Sequence, residues 1–384
     1  MPSVLAVVLV AGHVGGADSF AAVSAAMQGC IAKQEVAGVV TLVATREKVR
    51  HLEATGWADL AAKAPMRTDS ICWIASMTKP ITATAILMMQ EEGKLSVEDP
   101  VAKYLPELGG LKTSEGKPAQ LTLRHLLTHT SGLPEASAEQ YKTARTLAEV
   151  IPFYMGKPLR FEPGSKWQYC QSGINSLGRM VEIVSGQSFP AFLEQRLFRP
   201  LGMKDTTFYL SSNQIPRLAK SYLRSEQGLQ EVPIAFLNGR KPTDQDRYPA
   251  PNGGLFSTAS DYARFCRMIL NQGTLDGKRY LKPESVKLMT TIQTGDLQTG
   301  FTDGNGWGLG WCVVRQPQGV TAMLSPGTCG HGGAYGTQAW VDPVKQVIYV
   351  LMTQRANFPN SDNSEVRRAF QVAAAAELGS GPER

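Results

Sequence analysis

Strand-forming runs lie near the two ends of this 384-residue chain and helix-forming runs fill its middle. No other feature limits the fold as much. Gly38 to Thr45 is a Val-rich stretch of buried-strand length, and Val49 to Trp57 follows as a second strand. Strand-like runs return at Leu309 to Arg315, Thr337 to Asp342 and Gln346 to Thr353, with Asp342-Pro343 marking a turn between the last two. From Lys79 onward the pattern turns helical: Ile81, Ala85, Met88 and Met89 form an apolar face that ends by Gly93. Further helices are predicted over Leu121 to Leu127, Thr146 to Ile151, Ser172 to Ser185, Phe189 to Leu197 and Ser260 to Leu270. Helices at Ser24 to Lys33 and Ser364 to Leu378 lie outside the terminal strands. The pattern predicts a sheet built from both chain ends with a helical subdomain inserted between them, an α/β plus all-α arrangement.

The expected division places residues 21–84 and 266–384 in the α/β part and 85–265 in the mainly helical part, with an active site in the cleft between them. An apolar content of 43% supplies a large core. The 39 basic and 33 acidic residues leave a net charge of +6 without long like-charge runs, which excludes a nucleic-acid role. Six cysteines (Cys30, Cys72, Cys170, Cys266, Cys312, Cys329) form no C-x-x-C pair and read as buried thiols. The five histidines form no H-E-x-x-H pattern, so no metal or other cofactor is expected. Val4 to Ala11 resembles the apolar part of a signal peptide, but no Lys or Arg precedes Lys33. Residues 1–20 are therefore read as an incomplete signal segment, favouring a periplasmic or secreted location over a cytoplasmic one. No membrane span is expected.

Three short segments carry chemistry. In Ser76-Met77-Thr78-Lys79 the i, i+3 spacing at a helix start puts an amine beside a hydroxyl that needs a base to become nucleophilic. The same helix end offers free N–H groups to a developing oxyanion. Tyr169 lies in Pro163-Gly164-Ser165-Lys166-Trp167-Gln168-Tyr169-Cys170-Gln171, where a lysine nearby would lower the phenol's pKa and let it shuttle a proton. Gly330-His331-Gly332-Gly333-Ala334 reads as a turn in which glycines let backbone approach a ligand. Each segment alone has a bland reading: a helix cap, a core aromatic, a tight turn.

Taken in order, the three resemble the S-x-x-K, Y-x-N and K-T-G elements of the serine β-lactamase, penicillin-binding-protein and family VIII esterase superfamily. His125-Leu126-Leu127-Thr128-His129-Thr130-Ser131-Gly132-Leu133-Pro134, Pro200-Leu201-Gly202-Met203 and Gly253-Gly254-Leu255-Phe256-Ser257-Thr258-Ala259-Ser260-Asp261 extend the resemblance over about residues 25 to 375. It implies a β-lactamase/DD-peptidase-like fold, an antiparallel sheet flanked by helices with an inserted helical subdomain. It also implies acyl transfer through Ser76, with Lys79 and Tyr169 sharing the proton transfers. The oxyanion hole would be the N–H groups of Ser76 and Ala334, and Gln171, His331, Gly332 and Gly333 would meet the substrate.

Two positions depart from the pattern. Gln171 stands where the family has Asn, and His331 where it has Lys, so the cation that would hold a β-lactam carboxylate is missing. The sequence resembles the esterase branch, with a small-molecule ester as partner. A β-lactamase, D-amino-acid amidase or peptidase, or acyltransferase on the same framework is the alternative, and a non-catalytic binding or assembly protein is a second. The sequence is silent on oligomeric state. The G-x-S-x-G element of α/β-hydrolases is absent. His125 and His129 are read as structural, and Trp307 and Trp311, beside Gly306 to Gly310, as candidates for an acyl pocket.

Overall fold

The computed structural model describes residues 20–379, and the signal-like run Val4 to Ala11 lies outside them. We number eight strands β1 (Gly38–Ala44), β2 (Val49–Asp59), β3 (Ala64–Pro65), β4 (Asn305–Trp307), β5 (Cys312–Val314), β6 (Cys329–Gly332), β7 (Gln338–Asp342) and β8 (Val347–Met352). They form one sheet in the order β4-β5-β6-β7-β8-β1-β2-β3, with every neighbouring pair antiparallel. The two chain ends meet where β1 pairs with β8, Val40 opposite Met352 and Val43 opposite Tyr349.

Six helices position the site: α1 (Ala21–Ala32), α2 (Thr78–Glu91), α3 (Leu123–Leu127), α4 (Gln171–Ser185), α5 (Ala259–Leu270) and α6 (Glu365–Gly379). Side chains of β1 alternate between two covered faces, so every residue of the strand is buried. Val39 and Val43 join the cluster of Val23, Met27, Val366 and Phe370 from α1 and α6, while Val40 and Leu42 join the cluster of Ala263, Phe265 and Cys266 from α5. Each such aliphatic side chain contributes about 1.5–3 kcal/mol through burial. This double cover explains why β1 reads as a continuous apolar run instead of an alternation.

Helix α2 is buried from Thr78 to Met89, so it is a central helix and not the one-faced helix its apolar spacing implies. It packs against α4, and Gly178 of α4 lets the Pro251 segment come close: a Cβ there would stand 2.1 Å from Pro251 Cγ. The boundary expected at residue 84 falls inside α2. The one expected at residue 265 falls inside α5, which packs on the sheet. Among the described residues no helix is long and apolar enough to cross a membrane. All six cysteines are buried and unpaired.

The glycine-rich segment read as a turn is a strand: Cys329 to Gly332 forms β6 between β5 and β7. Its glycines are set by neighbours distant in sequence. A Cβ on Gly330 would lie 2.4 Å from the Trp340 ring, and one on Gly332 would lie 1.8 Å from Asp362 Oδ1. Strand β4, the helix Pro283–Thr290 and the hairpin Ser221–Ser225/Gly228–Val232 also carry too little periodicity to be read from the sequence.

Candidate active site

Ser76 sits in a single 3-10 turn, Ala75–Met77, that runs directly into α2. Ala75 has φ = +45°, a left-handed conformation costing a β-carbon residue on the order of 1–2 kcal/mol. The turn is held on several sides. Ile74 N–H donates to the Leu255 carbonyl (3.0 Å), Thr78 Oγ1 donates to the Ala75 carbonyl (2.7 Å), and Tyr262 OH donates to the Met77 carbonyl (2.8 Å).

Lys79 follows one turn later and is fully buried, its Nζ 3.0 Å from Ser76 Oγ. The amine also donates to the Asn252 carbonyl at 2.6 Å. Burial pulls its pKa down to about 7, against the opposing pull of the Glu135 carboxylate. About half of the lysine is therefore neutral at neutral pH. With its N–H groups engaged by Asn252, the free amine's lone pair can face Ser76.

Tyr169 lies beside this pair, its ring centroid 4.6 Å from Lys79 Nζ. Its hydroxyl is 3.4 Å from His331 Nε2. Burial raises the phenol's pKa well above its usual value, and a hydrogen bond to Ser76 offsets only part of that. This corrects the sequence expectation of a lowered pKa: the nearby lysine is itself desolvated and half neutral, so it offers little charge to favour phenolate. Tyr169 is a proton donor at neutral pH. His331 is buried and its pKa falls to about 3, mainly by desolvation, so the imidazole is neutral. Its Nδ1 lies 2.7 Å from the Gly332 carbonyl, which can only accept. Nδ1 therefore carries the proton, and Nε2 accepts from Tyr169.

Gln171 opens α4, and its side chain is hydrogen-bonded to Asn252 and not to Lys79. Its Oε1 accepts from Asn252 Nδ2 at 2.9 Å, and its own N–H donates to Glu135. Ser172 N–H donates to Glu135 as well, so this carboxylate caps the helix. Neither Asn252 nor Glu135 stands out in the sequence. The only pointers are that Asn252 directly precedes the Gly253 to Asp261 segment and Glu135 directly follows His125 to Pro134.

Gly332 and Gly333 are buried where backbones meet. A Cβ on Gly333 would stand 2.1 Å from Thr337 Oγ1 and 2.6 Å from the Ile74 carbonyl, so glycine brings the end of β6 against the turn that carries Ser76. Ala334, just beyond, is exposed, and its N–H makes no hydrogen bond to another described residue. His129 is fully buried, accepts from Cys170 N–H at 3.1 Å and packs against Tyr169 and Trp307. It therefore fixes the loop segment carrying Tyr169. His125 closes a capping box with Thr122 at the start of α3. Trp307 lines a small recess beside His331, whereas Trp311 stacks on Phe265 in the core. Among the described residues no cluster of His, Cys, Asp and Glu is arranged to hold a metal.

The chain matches the beta-lactamase family model over residues 23–374. It is 34% identical to an uncharacterized protein of Mycobacterium tuberculosis over 83% of this chain and 86% of that protein. It is 30% identical to esterase EstB of Burkholderia gladioli over 88% of this chain and 90% of the esterase. Among solved structures, EstCE1, a hydrolase with promiscuous acyltransferase activity, superposes with a TM-score of 0.81 at 25% identity, covering 93% of this chain and 98% of that one. With a family match over most of its length and the Ser76, Lys79 and Tyr169 side chains gathered at one point, the chain is a serine hydrolase that belongs to the beta-lactamase family.

Proposed function

We propose that this protein is a carboxylic ester hydrolase acting on small or short-acyl esters through an acyl-enzyme on Ser76. The observation that carries the reading is the buried Lys79 amine, 3.0 Å from Ser76 Oγ and with a pKa near 7. A general base works best when its pKa lies near the working pH.

In the proposed sequence neutral Lys79 takes the Ser76 proton as Oγ attacks the ester carbonyl. The N–H groups of Ser76 and Ala334 hold the oxyanion. The resulting ammonium faces the Tyr169 ring, whose negative face favours it. As the C–O bond breaks, the Tyr169 hydroxyl protonates the departing alkoxide and recovers a proton from Lys79. Water then attacks the acyl-enzyme, gives its proton to Lys79, and Lys79 returns it to Ser76 Oγ. An alcohol in place of water would give acyl transfer, the promiscuous activity named for EstCE1. Gln171 acts on this cycle through Asn252, while Gly332 and Gly333 let the backbone around the reacting carbonyl close.

His331 supports an ester over a β-lactam or a peptide terminating in D-Ala. A neutral, buried imidazole gives no cation to pair with those substrates' carboxylate at this position. The likeness to the esterase EstB and to the hydrolase EstCE1 points the same way. The reading is tested with p-nitrophenyl esters from acetate to octanoate beside a chromogenic cephalosporin, with Ser76→Ala as control and fluorophosphonate labelling of Ser76. Hydrolysis of the short esters that vanishes in Ser76→Ala is expected. Cephalosporin turnover exceeding ester turnover would replace the esterase by a β-lactamase, and full activity in Ser76→Ala would remove the nucleophile.

A further inference from the structure

A second recess, open to solvent, lies between the helix Ala138–Thr143 and the 3-10 turn Ala235–Leu237. Tyr141, Phe236 and Tyr248 form its apolar walls, and Lys142, Arg240 and Arg247 are its cations. On its inner side the Phe236 wall packs toward the turn that carries Ser76. The Phe236 ring stacks on Trp73 with centroids 5.2 Å apart. A Cβ placed on Gly253 would lie 3.7 Å from Phe236 Cε2 and 3.6 Å from the carbonyl carbon of Ala75, the residue before Ser76.

At the outer end neither Arg240 nor Arg247 forms a close ion pair with a carboxylate among the described residues. Arg247 is 5% exposed, yet its Nε has no hydrogen-bond partner among the described residues. Its Nη2 donates to the Phe208 carbonyl, and its guanidinium lies 4.8 Å from the Tyr209 ring centroid. Arg240 donates only to backbone, to the carbonyls of Asp246 and Lys142. Asp246 pairs with Arg145 and Glu139 pairs with Lys142, which leaves Asp244 as the carboxylate that partly offsets the Arg247 charge without a close ion pair. Arg240 and Arg247 repel one another, and a buried cation without a carboxylate is costly unless an anion joins it.

We propose that this recess binds a carboxylate at the far end of the substrate, so that the preferred esters are half-esters of dicarboxylic acids. Phe236 and Tyr248 would flank the methylene chain while Arg247 and Arg240 hold the carboxylate, and the scissile carbonyl would lie at Ser76. The inference rests on the ester-hydrolase reading and supplies the substrate class.

The test separates the two. Binding of monoethyl half-esters from succinate to suberate, and of chain-matched neutral ethyl esters, is measured by calorimetry on Ser76→Ala protein. The best half-ester is expected to bind at least ~10-fold tighter than its neutral counterpart, a preference that 0.5 M salt and Arg240→Gln both reduce. Arg240 is half-buried, so this variant avoids the folding risk of replacing Arg247. Equal or weaker binding of every half-ester overturns the inference, as does a preference unchanged in Arg240→Gln. Turnover by the wild-type enzyme is read separately: hydrolysis of neutral esters without a carboxylate preference removes only the subsite. A binding preference with no ester hydrolysed removes the hydrolase reading and leaves the subsite.

Discussion

The protonation state of Lys79 sets a pH dependence that can be worked out from the site. With a pKa near 7, the neutral fraction is ~0.9 at pH 8 and ~0.01 at pH 5, so kcat/KM for ester hydrolysis should fall about 90-fold between them. The limb belongs to Lys79 because His331, His129 and Tyr169 beside it stay neutral across that range. His331 titrates near 3, His129 is held well below its usual value by burial, and Tyr169 is held well above. Glu135 provides the perturbation. Its charge favours the ammonium, so Glu135→Gln should shift the limb to lower pH by about half a unit to one unit, while the amide oxygen still accepts from the N-terminus of α4. Initial rates after brief pH jumps from pH 7, with recovery checked on return, separate this titration from acid unfolding. A flat profile between pH 5 and 8, or a Glu135→Gln limb displaced upward, would refute the assignment of Lys79 as base.

Tyr169→Phe keeps the ring under Lys79 and removes only the proton donor, so ethyl esters should lose about 10²-fold or more in kcat/KM. p-Nitrophenyl esters, whose phenolate leaves without a proton, should lose far less; equal losses on the two series would count against a donor role. Gly333→Ala forces a methyl against Thr337 and the Ile74 carbonyl, and should cost about 1–3 kcal/mol, read as a lower urea midpoint. An unchanged midpoint would show that the two backbones can part cheaply. Acid should destabilise the fold through His51 and His331, whose folded pKa values of about 4 and about 3 lie below the unfolded 6.5. The unfolded chain binds more protons between those values, so stability is full above pH 6.5 and falls below it, by about 2 kcal/mol per histidine at pH 5. His331→Asn should flatten the dependence of the urea midpoint on pH, and an unaltered slope would exclude His331 as a contributor.

The sheet and the site were legible to different depths, for physical reasons that particular residues make plain. Strands β1 and β8 are readable because a doubly covered strand must be apolar throughout, and Ser76 with Lys79 is readable because helical spacing alone makes them neighbours. Strand β6 is not, since its glycines answer to Trp340, Asp362 and Ile74, and no local propensity encodes those approaches. The sign of the Tyr169 shift is hidden for a related reason: a neighbouring lysine lowers a phenol's pKa only if it stays charged, and burial decides that.

Asn252 is the hardest case, because it meets Lys79 through a backbone carbonyl that any residue could present. What the side chain adds is a fixed position for that carbonyl. Asn252 Nδ2 donates to Gln171 Oε1, and Asn252 N–H donates to Asn175 Oδ1 at 3.3 Å, so two residues of α4 hold this one residue in place. Read in this way, Gln171 is not simply a lengthened substitute for a substrate-binding asparagine. Its extra methylene belongs to an arrangement in which the side chain orients Asn252, and the Asn252 carbonyl accepts from the Lys79 amine. The departure from the family pattern at Gln171 is thus linked through Asn252 to the Lys79 amine.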